Sequence, residues 1–186
     1  MNLEDLRVQV ENCRKCGLWK TRRHPVLGEG NPKAEVVFIG EAPGREEDEL
    51  GRPFVGAAGR LLNEVLSEIG IKRGEVYITN VVKCRPPGNR QPTKREIKAC
   101  SPYLDRQISI IKPRIVVALG NTAASYILDR YNMRFTSMER MHGKAFRVGT
   151  MWGEMKILLT YHPAAALRNP NLRGVIKKDL EELANL

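Results

Sequence analysis

Four cysteines, and a carboxylate and a histidine that each follow an apolar run, are the residues of this chain that could do chemistry. Cys13 and Cys16 form a C-x2-C pair, and Cys84 and Cys100 follow far downstream, separated by fifteen residues. Unrelated burial of four thiols would leave the tight first pair unexplained. Disulfides are unusual in a reducing cytoplasm, hyperthermophile proteins excepted. Four thiolates suit zinc or an iron–sulfur cluster. Zinc ribbons use two tight knuckles and the second pair is too open for one, so the spacing leans toward iron–sulfur and leaves zinc open.

The stretch that joins the second pair, "KCRPPGNRQPTKREIKAC" (83–100), carries Lys83, Arg85, Arg90, Lys94, Arg95 and Lys98 against Glu96 alone. It is too polar and proline-rich to order itself by burying apolar surface. Metal–thiolate bonds would hold it. Cys84 also lies four residues beyond Asn80, so whatever binds Cys84 fixes the segment that carries Asn80.

The formal net charge is +10, and it is unevenly placed: between Lys72 and Arg114, eleven Lys or Arg face only Glu75, Glu96 and Asp105. A thermostable, solvated surface would intersperse the two signs. A one-sided block points to a polyanion, nucleic acid first.

The elements that must position these residues alternate. "AEVVFIG" (34–40), "VYITNVV" (76–82), "RIVVALG" (114–120) and "KILLTYHP" (156–163) read as strands, the first a continuous apolar run of the kind buried on both faces. Helices are expected over 3–11, 57–70, 93–112 (opened by a Thr93 to Glu96 capping box), from Asn121, and over 171–186. This order implies an α/β fold: three α/β/α layers with a central, mostly parallel four-stranded sheet. With 186 residues, 42% of them hydrophobic, the chain suits a single domain, 1–186, with the metal loop integral to it. No apolar block suggests a membrane span or leader, so a cytoplasmic location is expected. Ligands of such sheets sit beyond the carboxyl ends of the strands, which selects Gly40–Glu41, Asn80 and His162. The glycine-rich segment from Gly40 to Leu62 ends in no G-K-[ST] and is not a nucleotide-triphosphate loop. Its acidic run, Glu46 to Glu49, reads by itself as a solvated turn.

"GEAPG…GRPFVG", "NVVKCRPPGNRQP" and "HPAAALRNP", in this order and with the cysteine pattern, resemble the thermophilic family 4 uracil-DNA glycosylases, which carry a [4Fe-4S] cluster; the likeness runs from Cys13 to about Pro170. It implies a monofunctional DNA-repair glycosylase that flips uracil out of single- or double-stranded DNA and hydrolyses its N-glycosidic bond. Cys13, Cys16, Cys84 and Cys100 would hold the cluster. Gly40, Ala42, Phe54 and Asn80 would form the base pocket, Phe54 stacking on uracil and Asn80 donating to O4 and accepting from N3–H. His162 would stabilise the departing base at O2. Glu41 or Glu47 would handle the attacking water and the oxocarbenium charge. Leu167 would wedge into the vacated stack, with Arg168, Arg85, Arg90 and Lys94 on phosphate. The resemblance also implies a monomer, with docking on a sliding clamp as an option that no segment specifies.

The chain departs from the better-known uracil glycosylases, which have aspartate and tyrosine at the third and fifth motif positions where this sequence has Ala42 and Gly44. The tyrosine blocks the thymine methyl; here Glu47, folded back beside uracil C5, would fill that space. Two rivals remain open on sequence: a non-enzymatic metal module that binds nucleic acid, and a glycosylase of the same architecture acting on another base, such as hypoxanthine or mismatched thymine.

Overall fold

The apolar run at 36–40 has nowhere to go but the middle of a sheet, because residues 37 to 40 are all buried. The computed structural model describes all 186 residues. Its strands are β1 (Glu29–Gly30), β2 (Val36–Gly40), β3 (Tyr77–Asn80), β4 (Ile115–Leu119), β5 (Ala145–Thr150) and β6 (Gly153–Thr160); its helices are α1 (Leu3–Glu11), α2 (Arg45–Leu50), α3 (Ala57–Glu68), α4 (Lys94–Ile111), α5 (Asn121–Arg130), α6 (Met138–Met141), α7 (Pro163–Arg168) and α8 (Asn171–Glu181). The sheet order is β1-β3-β2-β4-β6-β5. The inner four strands are parallel, while β1 on β3 and β5 on β6 are antiparallel edges.

The α/β class is as expected, but the sheet has six strands where four were read. β1 is two residues long, too short for any pattern. β5 buries only Val148, so its side chains lack the apolar signature that marks β2 and β4. Both lie at sheet edges, where one face or one flank meets water.

Side chains alternate between the two faces as the pleat requires. Val37 and Ile39 join a core with Leu6 and Val10 of α1, Leu104 and Ile108 of α4, and Ile127 of α5. Phe38 faces the other way, onto Leu62 and Leu66 of α3 and Ile176 and Leu180 of α8. Each of these buried aliphatic or aromatic side chains stabilises the fold by about 1.5–3 kcal/mol. They hold the three layers rigid, so the strand tips are fixed points. The Thr93 to Glu96 capping box opens α4. No helix is long and apolar enough to cross a membrane.

The acidic run forms a helix, α2, instead of a turn. Glu46, Glu47 and Asp48 sit in its first turn, where carboxylates complement the helix dipole. Asp48 is buried and accepts from the backbone N–H of Arg23 at 2.8 Å.

Candidate active site

β2 and β3 leave the sheet side by side. Gly40 is paired with Asn80, and the exit is extended by Val81 N–H to Gly40 O (2.9 Å) and Val82 N–H to Glu41 O (3.0 Å). His162 lies two residues beyond the end of β6. These tips open into one cleft of about 320 Å³ lined by Glu41, Ala42, Glu47, Phe54, Asn80 and His162, among others. Gly40 does not line the cleft itself but lies against the Asn80 amide and the Phe54 ring that do. A Cβ there would lie 2.5 Å from Asn80 Oδ1 and 2.6 Å from Phe54 Cζ, so only glycine lets the amide and the ring come this close. Asn80 is 2% exposed, and its Oδ1 is buried with no hydrogen-bond donor. A buried acceptor without a partner is costly, and a ligand N–H in the cleft would satisfy it.

Phe54 adopts φ 49, a left-handed backbone that a phenylalanine tolerates only when its surroundings impose it. Two residues impose it. Arg73 donates to Pro53 O at 2.6 Å and to Phe54 O at 3.0 Å. Glu47 accepts from Val55 N–H (2.9 Å) and Gly56 N–H (2.8 Å) through Oε2, and from Gly44 N–H (3.0 Å) through Oε1. Glu47 thus joins the start of α2 to the loop of Phe54, its side chain folded back toward Gly44. Both of its oxygens are engaged, which leaves Glu41 as the carboxylate with an oxygen to offer. Glu41 Oε1 accepts from the Thr122 hydroxyl at 2.6 Å.

The His162 ring stacks near Phe54, with centroids 5.4 Å apart and planes 25° from parallel. Its Nδ1 accepts from Ala164 N–H at 3.0 Å, which caps α7. That bond leaves the proton of the neutral ring on Nε2. Gly120, at φ 92, makes room for it, because a Cβ there would sit 2.9 Å from His162 Cβ. Burial of the ring, then the charge of Arg168, push its pKa from 6.5 down to about 4, with Glu47 opposing. The unfolded chain therefore takes up a proton near pH 6.5 that the native ring refuses until about pH 4. Stability attributable to His162 is intact above pH 6.5 and falls as the pH drops toward 4, by about 3 kcal/mol in all. Urea unfolding between pH 7 and 4.5 should show this loss, and His162→Asn should flatten it relative to wild type; parallel curves would mean the ring is not held neutral.

The cysteines converge on the far side of β3. Cys13 follows α1, Cys16 begins a 3-10 turn, Cys84 follows β3 and Cys100 lies within α4. All four are free thiols lining a single, mostly apolar pocket with Leu18, Trp19 and Tyr103. Two donors are aimed at sulfur: Arg22 Nη1 to Cys84 Sγ at 3.1 Å and Lys83 N–H to Cys100 Sγ at 3.2 Å. Burial pushes the Cys84 thiol up, and that of Cys100 up to about 12, so these sulfurs ionise only against a strong positive partner. Four sulfurs on one pocket, Cys84 and Cys100 buried and Cys13 and Cys16 half-buried, with N–H groups pointing at two of them, are a donor set that fits a thiolate-bound metal centre.

The uracil DNA glycosylase superfamily profile matches residues 27–184. The chain is 51% identical over its whole length to the type-4 uracil-DNA glycosylase of Sulfurisphaera tokodaii, covering 84% of that protein. It is 48% identical to that of Archaeoglobus fulgidus over its whole length and 93% of the relative. It is 45% identical to that of Thermotoga maritima over 97% of this chain and 92% of the relative. The chain belongs to the uracil-DNA glycosylase superfamily.

In this member of the superfamily the residues expected on DNA divide into two sets. Leu167, at the end of α7, is 50% exposed, with Arg168 exposed beside it. Lys94 and Arg85 form no ion pair, Arg85 instead donating to Asn89 Oδ1 at 2.7 Å. Arg90 is exposed but paired. It grips Glu96 through two hydrogen bonds, 2.8 and 2.9 Å, and this grip holds the Glu96 carboxyl down to about 2. Its guanidinium therefore orders the loop, although it also borders the cleft. Arg73 and Thr122 were missed: neither lies in a motif, and their partners are distant in sequence.

Proposed function

We propose that this protein removes uracil from DNA by hydrolysing its N-glycosidic bond, leaving an abasic site, and that its four cysteines hold a [4Fe-4S] cluster. The observation that carries the reading is the unpartnered Asn80 Oδ1 buried beside Phe54 and a neutral His162. Uracil offers N3–H where Asn80 offers an acceptor, whereas cytosine has a bare N3. Phe54 supplies an aromatic surface for the everted ring. As the bond breaks, negative charge grows on the base, and the His162 Nε2–H donates to O2 without passing on a proton. Glu41, held through one oxygen by Thr122, keeps its other oxygen for the water and for the positive charge on the sugar.

Lys94, Arg95 and Arg168 supply phosphate contacts without base selectivity, and exposed Leu167 supplies the wedge. Glu47, folded back to Gly44, occupies the side of the cleft from which the thymine methyl is excluded. The cluster, when bound, supplies structural cross-linking of the 83–100 segment. One chain supplies every residue in this scheme, which supports reading residues 1–186 as one domain whose site needs no second subunit.

The test is excision from end-labelled oligonucleotides with one uracil, single-stranded and paired, read as alkali-labile strand breaks. Breaks are expected at uracil in both, with none at thymine. A folded protein containing iron and sulfide that releases no uracil would overturn the assignment; zinc at full occupancy would overturn the cluster alone.

A further inference from the structure

Lys83 belongs to the basic segment that the sequence directs toward DNA, yet it is 1% exposed and among the largest wholly buried side chains. Its Nζ reaches back along the strand to Asn80 O at 2.7 Å, Thr79 Oγ1 at 2.6 Å and Gln107 Oε1 at 2.5 Å. All three are acceptors toward it. The Thr79 hydroxyl hydrogen is directed to Leu27 O (2.7 Å), and the Gln107 amide donates its own hydrogens to Leu27 O (2.8 Å) and toward the Tyr77 hydroxyl (3.2 Å). Three acceptors around one nitrogen match the three hydrogens of an ammonium.

A buried ammonium calls for a compensating negative charge, and Lys83 makes no ion pair with any carboxylate. Its Nζ sits among neutral acceptors. Burial pulls its pKa from 10.5 down to about 7, and the ionisable groups that act against this are Cys100 first, then Asp105 and Cys84. Its own backbone N–H donates to Cys100 Sγ at 3.2 Å, Cys84 is the next residue, and Lys83 is among the residues that line the pocket all four cysteines share. At its other end it satisfies the last carbonyl of β3, on the residue whose amide faces the cleft. One residue therefore joins the two places: its backbone N–H meets a cysteine sulfur and its Nζ meets the end of β3.

We propose that Lys83 is a positioning residue that ties the four-cysteine centre to the uracil-reading end of β3. Its ammonium is the buried counter-charge of the cluster thiolates, and its three hydrogen bonds hold the Asn80 main chain in place. This rests on the cluster and on uracil as substrate. It assigns a task to the centre beyond cross-linking a loop: the thiolate charge keeps Lys83 inside, and Lys83 keeps Asn80 aimed.

The experiment compares iron-loaded wild type, Lys83→Met and Thr79→Val. Lys83→Met removes the charge at similar length, and Thr79→Val keeps the charge but removes one of its anchors. Two quantities are measured: the reduction potential of the bound cluster by spectroelectrochemistry, and affinity for DNA carrying a non-hydrolysable 2′-fluoro-deoxyuridine against undamaged DNA. In Lys83→Met the reduction equilibrium should become less favourable by about tenfold, which for one electron is about 59 mV, and the preference for uracil should fall about tenfold or more. In Thr79→Val the potential should stay at the wild-type value while the uracil preference falls several-fold. A Lys83→Met protein with wild-type potential and preference would overturn the proposal. So would a Thr79→Val protein with unchanged preference, should Lys83→Met not fold. Wild type showing no uracil preference would overturn the substrate reading instead, and the potential shift would still decide whether Lys83 is the counter-charge.

Discussion

Asn80→Asp is expected to lose about a thousandfold in single-turnover uracil excision while losing most of its discrimination against cytosine. The change keeps the shape of the side chain and its buried place beside Gly40 and Phe54, where a Cβ on Gly40 would touch both. What changes is the pattern of donors. The carboxylate still accepts from uracil N3–H, but it cannot donate to O4 and instead repels it. It also places negative charge against a base that becomes anionic as the glycosidic bond breaks, which opposes the stabilisation supplied by His162. A missing donor to a buried partner and an opposing charge in a water-poor cleft together cost about 4 kcal/mol, roughly a thousandfold in rate. Cytosine, whose exocyclic amine donates, is penalised far less. Rates on matched uracil and cytosine oligonucleotides would test this, and an Asn80→Asp protein that kept wild-type selectivity would mean that the edge is read elsewhere.

The place of the cleft was legible in the sequence because strand tips are easy to find when strands are buried. β2, β3 and β6 all read as strands, and the rule that ligands lie past their carboxyl ends leads to Gly40, Asn80 and His162 in turn. The supporting residues were hidden for a physical reason. Arg73 clamps the carbonyls of Pro53 and Phe54, and Thr122 holds Glu41. Such side chain to backbone and long-range polar contacts carry no periodicity and join distant segments. α2 was hidden too, because its acidic turn lacks an apolar stripe and is closed by Glu47 reaching back to Gly44. The basic segment misled in one respect. Composition directs its cations outward, whereas Lys83 is buried; Arg90 stays exposed but is paired with Glu96. Composition counts charges; only packing assigns their partners.

The same packing sets the second large effect, the loss of Cys100. Cys100 projects from α4 into the larger core, 7% exposed, with Cys84, Val82 and Leu104 in the same cluster. Cys100→Ser removes one of four sulfurs and buries a hydroxyl in its place. In small domains a structural metal contributes about 10–16 kcal/mol, as much as the whole net stability of an ordinary fold. Here the sheet has its own core, so the loss should be partial. Iron should leave, and residues 12–23 and 83–92, which the proposed centre would cross-link, should exchange amide hydrogen freely while β2 and β4 stay protected. A loss of about 4 kcal/mol would lower Tm by roughly 8–16 °C for a chain of this size. Cys100→Ala separates the causes: it removes the ligand without burying a hydroxyl, and it should lose iron and protection to the same extent. Uracil excision should fall with both, because Asn80 stands four residues before Cys84 on a strand whose exit would no longer be anchored. If Cys100→Ala kept wild-type Tm and exchange, the sulfurs would be ordinary core, and the order of the basic segment would have to come from Arg90, Glu96 and the Thr93 cap instead.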